Sequence, residues 1–320
     1  QRCTDELLKK LHQNSGKLDV YDDFLCSSDY LEAVINSNII DNDTLLIFSM
    51  DSAQLYCMKQ SDCWLYIWVI LNLDPNKRYK VRYVLPAGLT PRPDSPKNID
   101  SFVFPSLYHL ATIQNEGGLR IWDDGKHQLS SSQLCLVFVT ADLVALAKLT
   151  CWVGHLSRFP CQIFCGLPGQ HKPDAPHYFI ALLCCNGHLP ANSHGNVSIE
   201  ALPNGSAAQF LDNLCSVITL PNPTQFEHHH HDSGLSGVSI FFSVKLVFPP
   251  PFCFTGNMMH LDGLNLPDLL IRLFCSESDL VSTLDSVTNW KWAVLHDKDT
   301  WVQHGKLVAD ARPYLPNCIE

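Results

Sequence analysis

Apolar residues in this chain fall into short blocks separated by polar stretches rich in Pro, Gly and Asn. The first 40 residues are polar and acidic, with Leu7, Leu8 and Leu11 at helical spacing, which predicts an N-terminal helical segment over 1–40. The character then changes. Residues Thr44 to Ser52 (TLLIFSMDS) form a short apolar run that closes on an acid and reads as a central strand. Trp64 to Leu73 (WLYIWVILNL) is the most apolar run, and its aromatic and β-branched residues predict a second strand. A turn at DPNK leads to a third strand over Tyr79 to Leu89, and the Pro-rich TPRPDSPKNID leads to a helix around Phe104 to Glu116. Leu134 to Asp142 (LCLVFVTAD) predicts a fourth strand, again ending in an acid, followed by a helix in LVALAKLTCWVG.

Three strands in a meander, then helix, strand and helix, are the opening of an RNase H-like α/β fold, a mixed sheet flanked by helices. Residues 41–183 are expected to hold it. From Cys184 the chain turns polar, with NGH, NSHGN, LPNGS, LPNPTQ and HHHHD, so 184–248 reads as an insertion or linker. Within it, VSIFFSVKLVF predicts a last apolar strand before Pro249-Pro250-Pro251, and 249–320 reads as a mostly helical C-terminal part.

Composition sharpens this picture. The chain has 320 residues, 46% hydrophobic and only 17% charged, which fits a packed body rather than a disordered tail. The net charge of −10 argues against a basic nucleic-acid coat, but not against a core that clusters carboxylates to hold cations. The start, QRCTDELLKKLHQ, is charged and helical, unlike a secretory signal. No run approaches the roughly 18 apolar residues of a membrane span, so no membrane partner is expected. The 14 cysteines lack regular spacing and read as reduced thiols of cytosol or nucleus. Because it begins at Gln1, the chain is expected to be a piece of a longer protein.

Two acids carry the candidate chemistry. Asp51 and Asp142 each follow a β-forming run. A buried strand cannot host a charge at its middle, but its end can present one. On neighbouring strands the two carboxylates would share divalent cations, Mg²⁺ or Mn²⁺, in the two-metal manner of phosphodiester chemistry. The plainer alternative is that each Asp is a helix cap or turn former. Next, His155, Cys161, Cys165 and His177 have a spacing that can hold tetrahedral Zn²⁺, with His171 as a spare; chance clustering is the alternative in a chain with 14 Cys and 15 His. The run His228 to Asp232 reads as an incidental tract in a polar loop. Trp290, Trp292 and Trp301 could stack on bases but read as core at helical positions.

The stretch LLIFSMDSAQLYCMKQSDCWLYIWVILNLDPNKRYKVRYVLPAGLTPRPDSPKNIDSFVFPSLYHL resembles the transposases of CACTA (En/Spm-type) elements, especially copies abundant in fungal genomes. IWDDG, VTADLVALAKL, VGHLSRFPCQIFC, KPDAPHYFIALL, MMHLDGLNLPDLL and TWVQHGKLVADARPYLP resemble later blocks of the family in the same order, so the likeness spans about residues 41 to 316. It implies a DDE/D DNA transposase with an RNase H-like core that cuts transposon ends and joins them to target DNA. Its partners would be DNA and further copies of itself in a synaptic complex, and it would work in the nucleus. Carried over by position, Asp51 is the first catalytic acid and Asp142 the second. The family's Cys pair and His favour a structural zinc site at His155, Cys161, Cys165 and His177. The third acid belongs on a later helix, with Asp262, Asp268 and Glu277 as candidates; where family members have Asp before a Met-His pair, this chain has Asn257. That departure leaves a second expectation, a catalytically inactive relic acting as a DNA- or protein-binding module. A zinc hydrolase would need an H-E-x-x-H pattern, which is missing.

Overall fold

The computed structural model describes residues 9–18, 20–21, 23–40, 42–54, 62–91, 96–124, 127–171, 176–184, 194–256, 263, 265–276 and 290–314. Two compact units divide the chain, Gln1–Gly256 and Asn257–Glu320. Among the described residues no helix is long and apolar enough to cross a membrane.

The first unit is α/β. Its helix α1 (Ser28–Ile35) starts where the Ser27 side chain accepts from the Tyr30 N–H, and it precedes the antiparallel strands β1 (Thr44–Gln54), β2 (Asp62–Ile70) and β3 (Leu85–Pro91). Helix α2 (Asp100–Asn115) buries Val103, Leu107, Leu110 and Gln114, one stripe at helical spacing. A hairpin of β4 (Leu119–Asp123) and β5 (Gln128–Ser132) follows, then β6 (Leu134–Ala141) and α3 (Leu143–Thr150). The five-stranded sheet has the order β3-β2-β1-β6-β9, where β9 (Phe254–Gly256) and β6 run parallel to each other and β6 runs parallel to β1.

Strand β1 is central because its alternation is apolar on both faces. Leu46, Phe48 and Met50 pack with α2, α3 and Phe241, while Leu45 and Ile47 pack with Tyr30, Leu31 and Val137 on the other side. The fully buried Phe241 meets Phe48 edge-on, with ring centroids 5.0 Å apart. A buried ion pair ties the N-terminal segment to the turn after β2. Arg78 donates from Nη1 and Nη2 to Asp23 Oδ1 and Oδ2 at 2.8 and 2.7 Å, and two more of its N–H groups reach Leu73 O. At the other end of β1, Asp43 accepts from the N–H groups of Ile40 and Gln133.

Several expectations need correction. The third strand is shorter than expected and begins after a 3-10 turn at Val81–Tyr83. Residues 184–248, expected as a linker, carry α4 (Ala207–Thr219) and α5 (Pro223–Ser233), after the two-residue strands β7 (Gln170–His171) and β8 (Tyr178–Phe179). Phe210, Leu214 and Val217 on α4 build a separate core with Trp152, Phe164 and Leu235. The segment VSIFFSVKLVF is no strand: Ser239 donates to Leu149 O and accepts from Phe241 N–H, curling Ile240–Ser243 into a 3-10 turn. Only an isolated bridge joins Leu246 to Leu136, and β9 takes the sheet edge.

Among its described residues, the second unit carries the helices α6 (Leu266–Cys275) and α7 (Lys298–Ala311). Trp290 and Trp292 stack with centroids 5.6 Å apart. Trp292 and Trp301 are 50% and 43% exposed, so neither is the core residue expected from its spacing.

Candidate active site

Strands β1 and β6 are parallel neighbours, and their last paired residues are Met50 and Ala141. The next residues along the two strands are Asp51 and Asp142. Met50 and Ala141 both belong to the core beneath α2 and α3; alternation turns Asp51 to the opposite face, while Asp142 lies one residue past β6 and starts α3. Both are half-buried. Asp51 Oδ1 accepts from the Ser52 N–H at 2.7 Å. Asp142 is extended (φ −62°, ψ 166°) and caps α3, with Oδ1 accepting from the Ala145 N–H at 2.6 Å. The cap reading and the site reading therefore coexist at Asp142, since one oxygen serves the helix and the other remains for a ligand. Each acid thus offers hard oxygen donors at one end of the sheet, the donor type that magnesium or manganese takes.

Two charged residues that sequence reasoning passed over lie near this end. Lys148 on α3 holds its ammonium 5.1 Å from the ring centroid of Trp64, which pairs with Ser52 in the sheet register. Asp100, the first residue of α2, has its carboxyl pushed up by burial. Cys151, just after α3, is raised to about 11 by burial and then by the Asp100 charge. No spacing rule links these residues in the sequence. Only the register of β1 with β2 and the return of α3 along the sheet bring Lys148 to Trp64, on the face that carries α2 and α3.

The third acid is not assembled here. Asn257, Asp262 and Glu277 lie outside the described residues. Asp268 belongs to α6 in the second unit, where Arg272 approaches it at 3.8 Å one helical turn away. Of the expected zinc ligands, only Cys161 and Cys165 are neighbours, and burial first, then the Cys161 side chain, pushes the Cys165 thiol up to about 11. His155 and His177 are exposed, and among the described residues no group of three or more His, Cys, Asp or Glu could hold a metal ion. The residues in place offer two soft donors where structural zinc takes four. The spare candidate His171 instead packs its ring on Tyr178.

The histidine tract, expected in an unstructured loop, is helical. Asn222 caps α5, Pro223 stands at its first position and Gly234 ends it in the left-handed conformation. His229 and His230 are tied to the carbonyls of Asn213 and Leu235, and the His230 ring stacks on Phe226. These contacts make the tract part of the α4–α5 packing.

A cavity of about 440 Å³ opens at the other end of β1, lined by Asp43, Gln114, Gln133 and Lys245 among others. Gln114 is committed to the backbone of Leu134 and Lys245, so the cavity wall is a structural clasp. Compared with protein-family models and with curated proteins, the sequence matches none.

Proposed function

We propose that this chain is the catalytic core of a CACTA-type DNA transposase with an RNase H-like fold, acting in the nucleus on transposon ends and target DNA as a homo-oligomer. One observation carries the reading: Asp51 and Asp142 follow the last paired residues of two adjacent parallel strands. A meander, a helix and a parallel return strand beside β1 also suit an RNase H-like core.

In this reading Asp51 and Asp142 hold Mg²⁺ or Mn²⁺, which when bound stabilises the charge that develops on a phosphodiester under attack. The protein's own part is positioning. The Ala145 N–H fixes one Asp142 oxygen, and the Ser52 N–H fixes one Asp51 oxygen, so both carboxylates are oriented before a ligand arrives.

The test is a nicking assay on element-end DNA. Cleavage is expected with Mg²⁺ or Mn²⁺ and is abolished by EDTA, with Asp51→Asn inactive but still folded. Cleavage that persists in Asp51→Asn refutes the assignment. A second reading, an inactivated copy that only binds DNA or protein, is favoured by Asn257 standing where the family has an acid. It predicts DNA retention without cleavage, with Asn257 restored to Asp or not.

A further inference from the structure

The turn that links β2 to β3 is basic and faces water. Residues 75–83 (PNKRYKVRY) hold Lys77, Arg78, Lys80 and Arg82 without one acid, in a chain whose net charge is −10. Local bonds fix its course. Asp74 accepts from the Asn76 N–H at 2.8 Å and Pro75 stands in the first turn, so the short helix Pro75–Arg78 starts there. The Tyr83 N–H then donates to Lys80 O at 2.8 Å and closes the 3-10 turn Val81–Tyr83. Arg78 is the anchor: its guanidinium is buried against Asp23 and the Leu73 carbonyl, so that cation serves the fold. Lys77, Lys80 and Arg82 are exposed, and among the described residues none of the three enters an ion pair. The Arg82 guanidinium lies 5.2 Å from the Tyr83 ring centroid. Tyr79, between the two lysines, is 65% exposed. Since Leu46 pairs with Ile70 and Asp51 with Leu65, the turn leaves the sheet five residues, about 17 Å, from the acid end.

We propose that this turn is a binding site for single-stranded nucleic acid, with Lys77, Lys80 and Arg82 on backbone phosphates and Tyr79 as the platform for an unpaired base. Cations that neutralise phosphates release the counterions condensed on the strand, which drives binding. An open aromatic ring among them offers a flat face on which any base can stack. An acidic peptide would make no use of that ring. A membrane would need a wider apolar face than Tyr79 and Val81 supply. Phosphate contacts carry no sequence information, so the site takes a strand of any sequence. With a net charge of −10 the chain as a whole repels a polyanion, which confines binding to this turn. The site stands apart from Asp51 and Asp142 and needs no metal, so it does not rest on the catalytic reading.

The full chain is titrated onto a fluorescent oligothymidylate of about twelve nucleotides, in EDTA and over a range of salt, with anisotropy as the readout. EDTA keeps the outcome separate from cleavage, which fails or succeeds on its own. The variant Lys77→Gln/Lys80→Gln/Arg82→Gln should bind about 100-fold more weakly at about 0.1 M salt, and its slope of log K against log salt should be shallower by about 2. Tyr79→Ala should lose about ten-fold on the single strand and little on a duplex, whose bases are already stacked. A control that removes as much charge elsewhere, Lys291→Gln/Lys298→Gln/Lys306→Gln, should lose less than about three-fold, because salt screens distant charges. An equal loss in that control overturns the proposal. So does an unaltered chain that leaves the oligonucleotide free, or that binds phosphatidylserine vesicles in its place. If the triple variant at the turn fails to fold, Tyr79→Ala and the slope of the unaltered chain decide, and a slope shallower than about 2 overturns the site.

Discussion

Substituting Asp142 separates the two jobs its carboxylate combines. Oδ1 accepts from the Ala145 N–H at 2.6 Å and so caps α3, while Asp142 itself follows the end of β6, the strand that runs parallel to the one carrying Asp51. Asn keeps a side-chain oxygen in the same place and caps about as well as Asp, so Asp142→Asn should retain the helix start. It loses the charge interaction with the helix N-terminus, about 0.3–1 kcal/mol, and regains part of that by removing repulsion with Asp51. The net change should stay within about 0.5 kcal/mol. Ala has no acceptor. Asp142→Ala should lose the cap itself, about 1 kcal/mol and at most about 2, which for a chain of this size lowers the melting temperature by about 2–4 °C per kcal/mol.

Function should order the variants differently. If Asp142 holds the catalytic cation, Asn and Ala are equally inactive although only Ala is destabilised. If Asp142 is a cap and nothing more, activity follows stability, and Asn cleaves like the parent. Urea denaturation and metal-dependent nicking on the same three preparations separate these outcomes. Wild-type cleavage by Asp142→Asn would falsify the metal-binding role while leaving the capping role intact.

Two further outcomes follow from buried groups. Asp23→Ala leaves the 3%-exposed Arg78 guanidinium without its bidentate partner and should cost about 3–5 kcal/mol by chemical denaturation; the double variant Asp23→Leu/Arg78→Met should cost less than the single one, and equal losses would refute the desolvation argument. Cys135 and Cys253 are pushed up to about 12 from an ordinary 9.0, both mainly by burial and Cys135 also by the Asp43 charge. The unfolded chain therefore sheds these protons first, so stability should fall as pH rises from 9 towards 12, and neither thiol should react with iodoacetamide at neutral pH until the protein unfolds; rapid labelling of Cys135 or Cys253 in the native state would refute this.

Much of the sheet was legible because its strands obey one strong rule. TLLIFSM and LCLVFVTA are apolar on both faces, and only a strand buried on both sides needs that. The helix expected at Phe104 to Glu116 is there but starts earlier, at Asp100, because polar Asp100 and Ser101 carry no apolar signal. The β4–β5 hairpin was not legible. Its apolar residues Trp122 and Leu129 are 59% and 56% exposed, so no alternation between a buried and a wet face marks it. The stretch 184–248 misled for the opposite reason. Turn-forming residues crowd its flanks, yet Phe210, Leu214 and Val217 recur at helical spacing inside it and close a core.

The candidate site shows where pattern reading stops. That Asp51 and Asp142 end apolar runs is visible in the sequence; that the runs are neighbours is not, because 79 residues separate the start of β6 from the end of β1. What joins them is topology. β1 must return beside a strand that runs its way, and only a crossover such as α2 can supply a parallel partner. Once β6 lies there, Met50 opposite Ala141 leaves no freedom: a shift of one residue would turn the buried Leu136 and Val139 out of the core. The packing of β6 thus holds the two acids in register at no separate cost in stability. By contrast, the Cys161–Cys165 pair and the two histidines sit in loops that no such register aligns, and spacing alone brought only the cysteines together.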